Sequence, residues 1–245
     1  SGHSLGFAFD EVRRGRQKRM LVVGGEDCNF ESIVPFAGMR ALSLDKDPAR
    51  ASRPFDKTRN GFVGSGGATC LILESEEEVA RRGADPLAEI IGWGQASDGY
   101  NVAISHPEGR GLSDAMRRAL EDAELQPSEV NYVNAHAPST PIGDSSELQA
   151  LKTIFPEPQR VKVSSTKALT GHGLSLSSIM EAGFCCLALK NGFLPGSANV
   201  QELDPEVGHL DVILETKESQ AEVMMSNSSG FGGANVSVIF RRFPE

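Results

Sequence analysis

Val161–Glu181 reads VKVSSTKALTGHGLSLSSIME. The apolar Val161 and Val163 open it as a short strand, and a Ser-Ser-Thr-Lys turn follows. Thr170-Gly171-His172 then leads into a long apolar segment that reads as a buried helix. This strand-to-helix connection carries a lysine and a histidine five positions apart, Lys167 and His172. Connections of this kind display side chains at the rim of an open α/β sheet, where ligands bind.

Outward from that stretch, the same rhythm recurs. Ser1–Gly15 reads as a helix with Leu5, Phe9 and Val12 on one face. The continuous apolar run Met20–Gly24 reads as a buried parallel strand. A helix around Glu31–Met39, a polar loop, the strand Ala68–Leu73 and a charged helix Glu76–Arg82 follow. Gly83–Pro86 is the best internal boundary, dividing residues 1–85 from 86–245. Beyond it come strand Ala88–Trp93, helix Leu112–Ala123, strand Val130–Ala135 and helix Ser145–Phe155, with Asp144 placed as N-cap. Gly192 fits the left-handed stop of the buried helix, and strands at Val212–Thr216, Val223–Met225 and Val236–Phe240 finish the pattern. Alternating strands and helices predict an α/β fold, a mostly parallel sheet with helices on both faces.

Composition narrows the function. The chain has 245 residues, 39% of them apolar and 23% charged, enough for a substantial core. A net charge of -9 argues against nucleic acid as a partner. The basic cluster Arg13–Arg19 is read as a solvated helix end, where cations suit the dipole, rather than as a docking patch. No apolar run is long enough for a membrane span and no signal-peptide pattern opens the chain. Cys28, Cys70, Cys185 and Cys186 lack metal or redox spacing, which fits a reduced, cytoplasmic setting. The sequence opens on a helix already under way, so further sequence upstream of Ser1 is expected.

Three loop segments, each after a strand, can converge at one end of the sheet. They are Asn134–Asp144 (NAHAPSTPIGD), the Lys167/His172 turn, and Ser226–Asn235 (SNSSGFGGAN). Singly each has a plain explanation: a hydrogen-bonded structural histidine, a solvated lysine, a tight turn needing positive φ. A zinc site from His136, Asp144, His172 and Glu181 matches no common ligand spacing, so no metal is expected.

Together the three segments resemble the C-terminal part of the β-ketoacyl-acyl-carrier-protein synthases, elongating condensing enzymes of the thiolase superfamily. That family writes His-Gly-Thr-Ser-Thr-Pro-x-Gly-Asp where this chain has His136–Asp144. It writes Ser-x-Thr-Lys-x-x-x-Gly-His at Ser164–His172, and Ser-Asn-Ser-Phe-Gly-Phe-Gly-Gly-Thr-Asn at Ser226–Asn235. Gly24-Gly25 and Arg53–Phe62 extend the likeness over essentially the whole chain. The resemblance implies a layered α-β-α-β-α fold, of which this chain supplies the end of the first half and all of the second.

The implied reaction is decarboxylative condensation of malonyl-acyl carrier protein with an acyl group held on a cysteine. By resemblance His136 and His172 donate hydrogen bonds to the malonyl thioester carbonyl. Lys167 orients the site electrostatically, with Glu181, Asp144 and Asn235 as supports. Phe231 supplies a backbone oxyanion donor and a gating ring, and Gly230 and Gly232 permit its hinge. Phe36 and Ser229 border the acyl pocket, and Thr140 holds the pantetheine arm. No cofactor is implied beyond that arm, which is substrate. The carrier protein is the expected partner, along with a second chain making a homodimer or heterodimer.

Departures from the pattern carry their own expectations. The family nucleophile falls three residues before Ser1, and none of the four cysteines replaces it. Pro138 stands for a threonine that binds the pantetheine arm. Ser229 stands for a phenylalanine, whose lost ring volume predicts a roomier acyl site. Ser175 and Ser178 replace glycines on the central helix. A non-catalytic chain-length-factor-like subunit is the alternative, though such subunits typically lose the residues kept here. A thiolase- or chalcone-type enzyme acting on coenzyme A thioesters fits less well with the Lys/His pair and the GFGG turn.

Overall fold

The computed structural model describes residues 1–244. Chain order is α1 (Gly2–Arg13), β1 (Arg19–Glu26), α2 (Phe30–Gly38), α3 (Pro48–Ala51), β2 (Gly67–Glu74) and α4 (Glu76–Arg82). Then follow β3 (Glu89–Ser97), α5 (Arg110–Asp122), β4 (Tyr132–Asn134), α6 (Pro141–Ile154), β5 (Lys162–Ser164), α7 (Lys167–Thr170) and α8 (Ser177–Asn191). The chain closes with β6 (Phe193–Leu194), β7 (Asp211–Val212), β8 (Lys217–Glu218), β9 (Val223–Gly230) and β10 (Ala234–Arg241).

Six strands form the main sheet in the order β3-β10-β9-β4-β5-β7. The half built from β9, β4, β5 and β7 is parallel, while β3, β10 and β9 run antiparallel. At the centre of the sheet the strand residues are buried on both faces, Val133, Val163 and Met225 toward one layer and Tyr132 and Met224 toward the other. On one face α5 and α6 cover the sheet. Leu112, Ala115, Met116, Ala119 and Leu120 recur at helical spacing and bury α5's apolar stripe. On the other face lie α1 and α8, and Leu5, Ile179, Ala182, Cys185 and Leu189 fill the space between. The ribbon β1–β2 packs outside these helices, giving four successive layers, α-β-α-β.

Several expectations change. The run Met20–Gly24 lies in an antiparallel ribbon, not a parallel sheet, and its burial alternates: Val22 is buried while Leu21 and Val23 are exposed. A continuous apolar run cannot by itself reveal its partner's direction. Asp144 is not an N-cap, because α6 begins three residues earlier, after Thr140, with Pro141 in its first turn. The strand expected over Val212–Thr216 is only Asp211–Val212. Ser175 lies in a 3-10 turn, Leu174–Leu176, before α8 rather than on that helix. Its hydroxyl donates toward Gly25 O (2.6 Å) and Glu26 Oε2 (2.9 Å), a tie to β1 that glycine could not make. Gly192 does end α8 in the left-handed region.

Candidate active site

Parallel β4 and β5 end side by side, and each releases a functional loop from the same sheet edge. After β4 the chain runs through His136. The backbone N–H groups of His136 and Ala137 donate to the Glu147 carboxylate on α6, at 3.0 and 2.7 Å. Asn227 of β9 adds a third donor to Glu147 (3.2 Å) and accepts from Ser237 (2.8 Å). Further along the loop, the backbone N–H groups of Ser139 and Phe55 donate to Asp144 at 3.0 and 3.1 Å. Arg59 lies 3.3 Å from that carboxylate and also pairs with Asp204 at 2.6 Å. Burial lifts Asp144 to about 7 against the pull of Arg59 and raises Glu147 above the usual carboxylate range. Both acids act as backbone anchors inside the protein rather than as solvent-facing bases.

After β5, Lys167 starts the one-turn α7 with its side chain wholly buried. Its ammonium pairs with Glu181 of α8, which is equally buried. Burial pushes Glu181 upward despite that pairing. Gly171 follows with φ 69°, and a Cβ there would come within 2.9 Å of Val63 O, so this turn requires glycine. His172 is then held by its backbone: its N–H donates to Val63 O (2.7 Å) and its carbonyl accepts from Ser65 (3.1 Å). Its ring Nδ1 is 3.1 Å from Ser177 Oγ.

The two histidine rings meet edge to face with centroids 5.1 Å apart, and Phe62 packs on His172 at 5.1 Å. They border a cavity of about 800 Å³. Phe36, Thr140, Pro138, Ser229, Gly230 and Phe231 line it as well. Phe231 is 53% exposed, and its ring leans on that of Phe36 with centroids 5.7 Å apart at the cavity lining. Gly232, at φ 79°, donates its N–H to Val102 O and sits in the turn behind that ring. Asn235 lies behind Ser229, accepting its hydroxyl (2.7 Å) and donating to Asp98 (2.8 Å). Lys167, Glu181, Asp144 and Asn235 therefore stand behind the cavity wall rather than in it.

Burial, and next the Lys167 charge, holds both histidines neutral. His172 is lowered to about 3, and His136, facing His172 as well, falls well below its ordinary value. A neutral imidazole carries one N–H, so each ring can donate one hydrogen bond into the cavity. Glu147 and Ser177 escaped the sequence reading, while Asn227 and Arg59 fall in segments it singled out without a role of their own. A helical glutamate or serine has no local signature, and only the fold brings these groups to the loops.

A layered α/β fold with paired neutral histidines, a buried Lys–Glu pair behind them and a glycine-rich turn over the opening defines the thiolase-like condensing proteins. The profile described as "Beta-ketoacyl synthase, N-terminal domain" matches residues 1–79, and "Beta-ketoacyl synthase, C-terminal domain" matches residues 87–201. The chain belongs to the β-ketoacyl synthase family. It is 41% identical over 244 residues to 3-oxoacyl-[acyl-carrier-protein] synthase 2 of Staphylococcus aureus strain COL, covering 98% of this chain and 59% of that protein. The crystal structure of a β-ketoacyl synthase from Burkholderia phymatum STM815 superposes with a TM-score of 0.95 at 37% identity, over 100% of this chain and 60% of the other. The ishigamide ketosynthase/chain length factor gives 0.92 at 29%, over 99% and 58%. The chain thus spans about three-fifths of the length of the relatives it matches.

Proposed function

We propose that the full protein carrying this chain condenses malonyl-acyl carrier protein with an enzyme-bound acyl group, extending a fatty-acid or polyketide-type chain by two carbons. The observation that carries this reading is the pair of neutral histidines on one cavity wall. In the proposed reaction the malonyl thioester carbonyl sits between the two ring N–H donors. Loss of carbon dioxide leaves its electron pair as an enolate, whose oxygen these donors stabilise. The enolate carbon then attacks the acyl thioester carbon on a cysteine, and the cysteine thiolate departs. One C–C bond forms, one C–C and one C–S bond break, and the single negative charge passes from carboxylate to thiolate.

The nucleophile is proposed to lie three residues before Ser1. The carrier protein supplies the substrate arm and docks at the cavity mouth, with Thr140 near the arm. Ser229, lining the cavity with a small side chain, is proposed to leave room for the acyl group. No helix among the described residues is long and apolar enough to cross a membrane. The free cysteines support a reducing cytoplasmic setting.

The likeness to a ketosynthase/chain length factor structure gives the second reading, a non-catalytic subunit of a heterodimer. A cysteine three residues upstream of Ser1 supports catalysis, and Gln or Ala there supports the partner subunit. The direct test supplies the full protein with malonyl- and acyl-carrier protein. Carbon dioxide and a 3-oxoacyl product are expected, and neither forming would refute the proposal.

The depressed histidines predict a pH profile. A group lowered to about 3 stays neutral down to moderately acidic pH, so its N–H remains a single donor. The ring-nitrogen chemical shifts of both histidines should therefore stay constant from about pH 5 to 8, with no step near the ordinary histidine value of about 6.5, whereas Asp144 and Glu181, each raised to about 7, titrate within that range. A titration of either ring near that value would show that burial and the Lys167 charge do not hold that histidine neutral.

A further inference from the structure

We propose that Ser177 is a positioning residue that sets the tautomer of His172, a role that rests on the condensation reading above. Ser177 opens α8 and is 2% exposed. Its hydroxyl oxygen lies 3.1 Å from His172 Nδ1. Among the described residues this is the only hydrogen bond made by the Ser177 side chain.

That isolation assigns the direction of the bond. A buried hydroxyl carries one proton and needs an acceptor, since leaving a buried donor unpaired is costly. Were His172 to donate from Nδ1, the serine proton would have no acceptor. With Ser177 donating, Nδ1 is the acceptor and the ring's one proton sits on Nε2. Both groups are then satisfied, and the nitrogen left free is a donor. The opposite tautomer would offer the developing enolate oxygen a lone pair, which repels it.

The first turn of α8 reinforces this arrangement. The aligned peptide dipoles give that end of the helix positive character, which disfavours an imidazolium beside it. Lys167 adds its own charge from behind. The backbone bonds at Val63 and Ser65 fix where the His172 ring is attached, and Ser177 decides what the ring presents. His136 has no such partner: its Nδ1 is buried without a hydrogen bond. The two histidines are thus unequal, and His172 is the one whose proton is placed.

The test uses the full protein with nitrogen-15-labelled histidine. His172 is assigned by comparison with His172→Gln, and the ring nitrogen shifts report which nitrogen carries the proton. The wild type is expected to show Nε2–H, and an Nδ1–H pattern there overturns the proposal without any Ser177 variant. Ser177→Ala should remain folded by circular dichroism and show a mixture of tautomers. Its kcat for malonyl-carrier-protein decarboxylation should fall roughly 3- to 10-fold, the worth of one neutral hydrogen bond, with KM little changed. Ser177→Thr, which retains the hydroxyl, should keep the wild-type tautomer. Wild-type kcat together with unmixed Nε2–H in Ser177→Ala would also overturn the assignment. A wild-type protein that never decarboxylates the malonyl substrate refutes the condensation reading instead, while the nitrogen spectrum still decides the tautomer.

Discussion

His136→Ala in the full protein should lower malonyl decarboxylation by roughly a hundredfold to a thousandfold, the usual effect of removing one donor to a developing oxyanion, while leaving the protein folded. The two halves of this expectation come from different atoms of the same residue. The backbone N–H of His136 donates to Glu147 and survives the substitution. The ring, by contrast, makes no hydrogen bond through Nδ1, so its removal leaves no partner stranded. The space it vacates opens into the existing cavity, where water can enter, rather than into the packed core. Stability should change by no more than about 1 kcal/mol, the scale of a surface-connected truncation. The measurement is carbon dioxide release from malonyl-carrier protein, with the melting temperature recorded on the same sample. Decarboxylation above about a tenth of the wild-type rate, against the loss expected of an oxyanion donor, would remove His136 from the role proposed here.

That separation shows what could and could not be seen in the sequence. The positions His136, Lys167, His172 and Phe231 were legible because the segments holding them carry unusual residue types on loops after strands. The α/β order was legible too, since period and punctuation are local properties. Pairing is not local. Met20–Gly24 has the composition of a buried parallel strand, and only the packing of α1 and α8 beneath it leaves one face outside. Asp144 shows the same limit on a smaller scale. An aspartate before a helical run reads as a cap, yet Pro141 allows the helix to start earlier and turns Asp144 inward to hold Ser139 and Phe55. Lys167 misleads in the opposite sense. Loop lysines are usually solvated, and nothing near it in sequence says that Glu181, on the next long helix, will bury with it.

Lys167→Met should, for that reason, cost far more stability than His136→Ala. Both members of the Lys167–Glu181 pair are fully buried, and Glu181 Oε2 has no hydrogen-bond partner. Removing one partner of such a pair typically costs about 3–5 kcal/mol, because the other charge is left without compensation. Glu181 is already raised by burial, so in the variant it should take up a proton, which tempers the loss toward the lower figure. Replacing both partners, as Lys167→Met with Glu181→Leu, removes the stranded group and should recover most of the lost stability. It should not recover the chemistry. The Lys167 charge is one of the causes that keep His136 and His172 unprotonated. Without it, protonation of either ring becomes easier and both values move up toward about 6.5, the ordinary histidine figure. As pH falls, activity in the double variant should then be lost earlier than in the wild type. Melting temperatures of the two single variants and the double variant, read with their decarboxylation profiles, separate these effects. A Lys167→Met protein as stable as the wild type would mean that the pair does not carry the buried charge balance. A double variant whose acid limb stays where the wild type has it would mean that burial alone holds the histidines neutral.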